Sequence, residues 1–326
     1  MAQNNPYHYQ DGKTDFRLTP EKETAGWRRY SVSFATAHKN LYPEQDTARG
    51  QYYRPRGTDL APLVVLIHGM GDYSLTPLGP IARALAGRGI ASFILKMVFH
   101  SSRQPGAIRE RFPDLTPEEW LEGYRTSVIE VRQIADWAAR QPELDGRKIG
   151  LVGISLGGFI SAIAMGVDQR IKAGVLIVAG GNSAKVNQFS RHATTRRYRK
   201  ISEEEYQELL NHYQHYRDEI GIKGFENVTP ERPSYLTDPA TFAPSLKGRP
   251  LLMLNARWDE AIPREATLDL WEASGHPQIV WFPASHAGIW FWYPVIQHKI
   301  TRFLLSAFRD NIGELPQIDT GNRPGL

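Results

Sequence analysis

The sequence predicts an α/β fold: a mostly parallel sheet with helices on both faces, broken once by an insertion. Three observations carry this expectation. A continuous apolar run at residues 63–67 and largely apolar runs at 90–98, 149–152, 173–178 and 251–255 have the composition of strands buried on both faces. Helical patterns alternate with these runs from residue 63 onward, as they do where crossover helices join parallel strands. The length of 326 residues suits one large α/β domain with insertions or two ordinary domains, and 41% hydrophobic against 23% charged residues is a globular balance.

Taken in order, residues 1–26 are polar and read as an arm laid on the surface. Residues 29–36 alternate, with Tyr30, Val32 and Phe34 on one face, the signature of a half-buried strand. Residues 51–54 form a second short candidate, closed by Pro55 and Gly57. The buried run 63–67 follows, then a helix over 76–88 in spite of Pro77 and Pro80 in its first turns, then the run 90–98. Residues 117–140 read as a long amphipathic helix, capped by Thr116 with Glu119 as the reciprocal partner. Trp120, Tyr124, Val128, Val131, Ala135 and Ala138 lie on its inner stripe and read as core. The runs 149–152, 173–178, 251–255 and 278–282 complete the strands, a closing helix covers 288–308, and 309–326 is a polar tail. The hydrophobic core is thus expected in 27–181 and 249–308. Residues 182–248 hold no buried strand, only a Ser202-capped helical stretch over 202–220 and loops rich in Pro and polar residues. A segment of this length inside one sheet topology is expected to be a lid or cap over a ligand site.

The chain has no cysteine, which excludes disulfides and thiolate metal sites. The first 15 residues are polar and show no signal-peptide pattern, so a cytoplasmic location is expected. No apolar run reaches the ~18 residues of a membrane span, so no membrane insertion is expected. The net charge of +4 reads as solubility. Arg191, Arg196, Arg197, Arg199 and Lys200 concentrate the basic excess, but an acidic run follows at Glu203–Glu205 and aromatics are not interleaved, so nucleic acid is not an expected partner.

The chemistry is concentrated at Gly153-Ile154-Ser155-Leu156-Gly157, set between an apolar strand and a run of small residues. A strand, a sharp turn and a helix with serine at the apex push the hydroxyl out to where a substrate can reach it. Among 28 glycines such a pentapeptide also arises by chance, so its context has to carry the reading. Serine needs a base, and the base needs an orienting group. Asp259 lies four residues past the 251–255 strand, at the carboxyl end where ligands bind in parallel sheets; Glu260 is the alternative acid. His286 lies four residues past the end of the 278–282 strand. His276 sits at the opposite end of that strand, His298 lies inside the closing helix, and His192, His212 and His215 lie in the insertion. His212 and His215 have no evident third ligand, so no metal is expected. After the first buried strand comes His68-Gly69-Met70-Gly71-Asp72, whose glycines let backbone N–H groups face a developing oxyanion. The donors expected are the amides of Met70 and Leu156. Gly69, Gly71 and Trp290 are candidates for lining the substrate site, with packing of the last helix an equal reading for Trp290.

These pieces, together with Asp136-Trp137, Asp259 to Pro263 and Ser285-His286-Ala287-Gly288, resemble the α/β-hydrolase superfamily, in the branch of small esterases, dienelactone-hydrolase-like proteins and acylpeptidase-like domains. The resemblance covers about 60–308 apart from the insertion. It implies an eight-stranded sheet, Ser155 as nucleophile, Asp259 as acid, His286 as base, and no cofactor. The activity it implies is hydrolysis of a small-molecule carboxylic ester through an acyl-enzyme, with peptidase or thioesterase chemistry possible on the same triad. Two other classes compete. Gly69-x-Gly71-x-x-Ser74 faintly resembles a dinucleotide fingerprint, but the third glycine is missing and Lys96 stands where an acid is needed. A non-catalytic binding protein on this fold would be expected to have lost one of the three candidates, and all three are present.

Overall fold

The computed structural model describes residues 5–10, 14–71, 74–100, 102–111, 114–192 and 201–310. Nine strands form one sheet. In chain order they are β1 (Arg17–Glu23), β2 (Trp27–Ala35), β3 (Thr47–Pro55), β4 (Ala61–Ile67), β5 (Ala91–Lys96), β6 (Leu144–Ile154), β7 (Ile171–Ile177), β8 (Leu251–Ala256) and β9 (Gln278–Phe282). Their order across the sheet is β1-β2-β3-β5-β4-β6-β7-β8-β9. The pairs from β1 to β5 are antiparallel and those from β5 through β4 to β9 are parallel.

The helices are α1 (Leu78–Ala86), α2 (Gly106–Glu110), α3 (Pro117–Ala138), α4 (Leu156–Val167), α5 (Ser183–Phe189), α6 (Glu203–Lys223), α7 (Pro239–Phe242), α8 (Arg264–Ala273) and α9 (Tyr293–Asp310). Side chains alternate between two cores, which is why β4 is an unbroken apolar run. Leu63, Val65 and Ile67 face α3 and α4, and Val64 and Leu66 face α1 and α9. Both sets are fully buried. The expected cap of α3 is present: Thr116 Oγ1 accepts the Glu119 N–H and Glu119 Oε2 accepts the Thr116 N–H.

Two expectations are corrected. The sheet has nine strands, and the extra one, β1, lies within residues read as a surface arm. Its sequence, Arg-Leu-Thr-Pro-Glu-Lys-Glu, hides it: an exposed edge strand has no apolar face, and Pro20 is tolerated there beside an irregularity in the β1–β2 register. Further upstream, Tyr7 is fully buried. Its hydroxyl donates to Leu236 O at 2.5 Å, its carbonyl accepts from Arg132, and its ring packs edge-on against Phe242. Part of the 182–248 insertion belongs to the core. Phe242, Ala243 and Leu246 join the core on the α4 side, and a Cβ added at Gly166 would come within 2.6 Å of Phe242 Cβ. Of the polar tail, 309 and 310 continue α9, while 311–326 lie outside the described residues, as do Asp72 and 193–200 of the basic stretch.

Candidate active site

β6 ends at Ile154 and α4 begins at Leu156, leaving one residue to turn the chain. Ser155 takes that turn with φ 51° and ψ −116°, a backbone that L-residues adopt only under constraint. Its N–H donates to Ile177 O at 2.8 Å, and its carbonyl accepts from Gly158 and Phe159. The flanking glycines are required by close approach. A Cβ at Gly153 would sit 2.2 Å from Gly157 O, and one at Gly157 would sit 2.3 Å from Ile67 O. No side chain fits at those separations.

β8 and β9 are parallel neighbours, so the loops leaving their carboxyl ends run side by side. The pairing continues past the strands: Arg257 N–H donates to Phe282 O at 2.8 Å, and Trp258 N–H to Ala284 O at 3.0 Å. This brings Asp259 and His286 together. His286 Nδ1 is 2.8 Å from each Asp259 carboxylate oxygen, and His286 Nε2 is 3.1 Å from Ser155 Oγ. Asp259 Oδ1 also accepts the N–H groups of Ala261 at 2.9 Å and Ile262 at 2.8 Å, which fix the carboxylate's direction. The aspartate side chain is 6% exposed and the histidine 21%, so the pair is shielded while the imidazole stays reachable.

Glu260 takes a different place. Its Oε2 accepts the backbone N–H of His286 at 3.0 Å, and none of its bonds runs to the imidazole among the described residues. Burial pushes its carboxyl upward, but the N–H donors of His286 and of Glu260 itself, together with the nearby imidazoles of His286 and His192, hold it below the usual carboxylate range. Two of the rival histidines have other partners. His276 packs edge-on against Trp271, and His212 pairs with Glu231 on the surface of α6. Among the described residues no group of three or more His, Asp or Glu is placed to hold a metal ion. No helix among them is long and apolar enough to cross a membrane.

The loop after β4 abuts the serine: a Cβ at Gly69 would lie 3.6 Å from Ser155 Cβ. Met70 is half exposed, and Gly71 adopts φ +76°. Leu156 begins α4, so its N–H is one of the orphan donors of a helix start. His68 braces this loop. Nδ1 lies 2.8 Å from Gly69 O, and Nε2 accepts the Met97 N–H at 3.1 Å, so the proton is assigned to Nδ1. Burial lowers its pKa from 6.5 to about 4, against a smaller upward pull from the Gly69 carbonyl. Trp290 is partly buried against the α1/α9 core, its ring 5.9 Å from Tyr293. Trp258, next to Asp259 in the chain, and Phe291, five residues past His286, are 62% and 93% accessible.

Solved structures share this architecture. The acetyl xylan esterase from Paenibacillus sp. R4 superposes with a TM-score of 0.64 at 17% identity, over 90% of this chain and 88% of that one. Among curated relatives, Rv2627c of Mycobacterium tuberculosis is 24% identical over 185 residues, 56% of this chain. That match spans only 38% of the relative's length. YitV of Bacillus subtilis, provisionally named an esterase, is 24% identical over 211 residues, covering 63% of this chain and 71% of its own. The model of one family, described as alpha/beta hydrolase domain containing 18, matches residues 10–304, and the chain belongs to that family.

Proposed function

We propose that the protein is a serine hydrolase that cleaves carboxylic esters through an acyl-enzyme. The observation that carries this reading is the unbroken chain of hydrogen bonds from Asp259 through His286 to Ser155, with links of 2.8 and 3.1 Å. Ser155 Oγ attacks the acyl carbonyl while His286 Nε2 takes its proton. Asp259 holds the Nδ1 proton and stabilises the imidazolium that forms. The carbonyl oxygen becomes negative and is met by the amides of Leu156 and Met70, each such donor contributing ~3 kcal/mol to the transition state. Gly69 and Gly71 let that backbone approach the substrate, and Trp290 is assigned to the wall of the pocket. The tetrahedral species collapses, the alcohol leaves with the proton from His286, and water repeats the sequence on the acyl group.

The esterase names among the neighbours and relatives agree with this reading. The substrate is taken to be a small ester, with no metal or cofactor required by these steps. A panel of p-nitrophenyl esters of rising chain length, run beside an aminoacyl amide and a thioester, tests it. Preferential turnover of the esters, abolished in Ser155→Ala, is the expected result. Turnover of the amide or thioester alone would reassign the reaction.

A further inference from the structure

We propose that Glu260 is a positioning residue that sets the backbone of His286 and ties it to the entrance of the insertion; this rests on the hydrolase reading above. Two sets of bonds meet at this one residue. On its side chain, Oε2 accepts the His286 N–H at 3.0 Å. On its main chain, the carbonyl accepts the Arg191 N–H at 2.7 Å and the Ser190 hydroxyl at 3.1 Å. Ser190 and Arg191 follow α5 directly, within the first ten residues of the 182–248 insertion. The same entrance is packed against the acid loop, since Val186 of α5 clusters with Ile262 and Ala266. The neighbouring residue, Asp259, fixes the imidazole ring. Aspartate therefore sets the ring and glutamate sets the main chain that carries it. A histidine needs both to hold Nε2 at 3.1 Å from the serine hydroxyl.

A general base displaced by about 1 Å costs up to 10²-fold in rate. A charged carboxylate is not needed for this role, but an acceptor at the right reach is. Three variants separate the two requirements. Glu260→Gln keeps the acceptor and loses the charge. Glu260→Asp keeps the charge and withdraws the acceptor by one methylene. Glu260→Ala removes both.

The rate read is the release of p-nitrophenol when paraoxon phosphorylates Ser155. In that step the Oγ–P bond forms, the P–O(aryl) bond breaks, the hydroxyl proton passes to His286, and p-nitrophenolate departs. Steady-state kcat and KM on p-nitrophenyl acetate are measured alongside. Glu260→Ala and Glu260→Asp should lower kcat and the phosphorylation rate ~10- to 100-fold with KM within about 2-fold, while Glu260→Gln stays within about 3-fold of wild type. Ser190→Ala should lower kcat modestly, and adding it to Glu260→Ala should cost nothing more, because both act through one residue. Wild-type rates in Glu260→Asp, or equal losses in Gln and Ala, overturn the inference. Losses of Ser190→Ala and Glu260→Ala that simply multiply overturn the link to the insertion. Where Glu260→Ala fails to fold, the Gln and Asp pair decides. If Ser155→Ala keeps its turnover, the hydrolase reading itself fails. If only the Glu260 variants behave as wild type, that reading stands and this one falls.

Discussion

Acidification should destabilise the protein through His68 in a window set by its burial. The imidazole is 1% exposed, and its Nε2 lone pair is committed to the Met97 N–H. Protonation would replace that acceptor with a second donor facing an N–H, inside a site that cannot hydrate the charge. The folded pKa is accordingly lowered from 6.5 to about 4, with burial the main cause. Between those values the unfolded chain binds a proton at this position and the folded chain does not. Stability therefore rises with pH across the window; the contribution is fully present above 6.5 and is lost as pH falls toward 4. A gap of about 2.5 units at 1.36 kcal/mol each is worth roughly 3 kcal/mol. Urea unfolding of wild type and His68→Gln at pH 7.0, 5.5 and 4.0 isolates this residue, because carboxylate titrations are common to both proteins. Glutamine offers an amide oxygen at the position of Nε2 for the Met97 N–H, and it does not titrate. Wild type should lose roughly 3 kcal/mol more than the variant between the first and last pH. Parallel losses in the two proteins would refute the argument.

The remaining predictions concern the site and its supports. Ser155→Ala should lower turnover by ~10⁴-fold or more with little change in melting temperature. Asp259→Asn should cost ~10⁴-fold in kcat by allowing the wrong imidazole tautomer, whereas Glu260→Gln should leave most of the rate. The reverse order in steady-state assays would make glutamate the acid. Gly157→Ala should destabilise by at least ~1–3 kcal/mol in chemical denaturation, because its Cβ would meet Ile67 O at 2.3 Å and backbone cannot step aside cheaply. Glu130→Gln should cost ~3–5 kcal/mol by the same method. Arg103 is fully buried and makes two bonds of 2.6 and 2.8 Å to that carboxylate, so the change strands a charge in the core.

What could be read from the chain follows from where each element lies. The parallel strands announce themselves because both faces of β4, of residues 149–154 of β6 and of residues 173–177 of β7 are covered, leaving no polar residue to break those runs. The triad candidates stand at fixed short distances past those strands, so strand ends located them. β1 escaped because its stability comes from pairing with β2 and not from burial. Tyr7 escaped for a related reason: it is a lone aromatic in a polar stretch, and its burial depends on Leu236 and Phe242, more than 200 residues away. The split roles of Asp259 and Glu260 were illegible for a third reason. Adjacent carboxylates look alike in sequence, and only the loop geometry directs one to a ring and the other to a main-chain N–H.

The position of Ser155 shows how these layers depend on one another. A non-glycine residue at φ 51°, ψ −116° carries local strain of about 1–3 kcal/mol, which a free loop would relax. Here relaxation is blocked on each side. Its N–H is held by Ile177 of β7 and its carbonyl by the first turn of α4. The two flanking glycines are pressed against each other and against the end of β4. Turning the serine back into an ordinary conformation would break the sheet-to-helix junction at the centre of the molecule. Strain of this size is therefore held by the core contacts of β4, β7 and α4, far more extensive than the turn itself. That is why a change such as Gly157→Ala, which alters no reacting atom, is expected to disturb both stability and the placement of the hydroxyl.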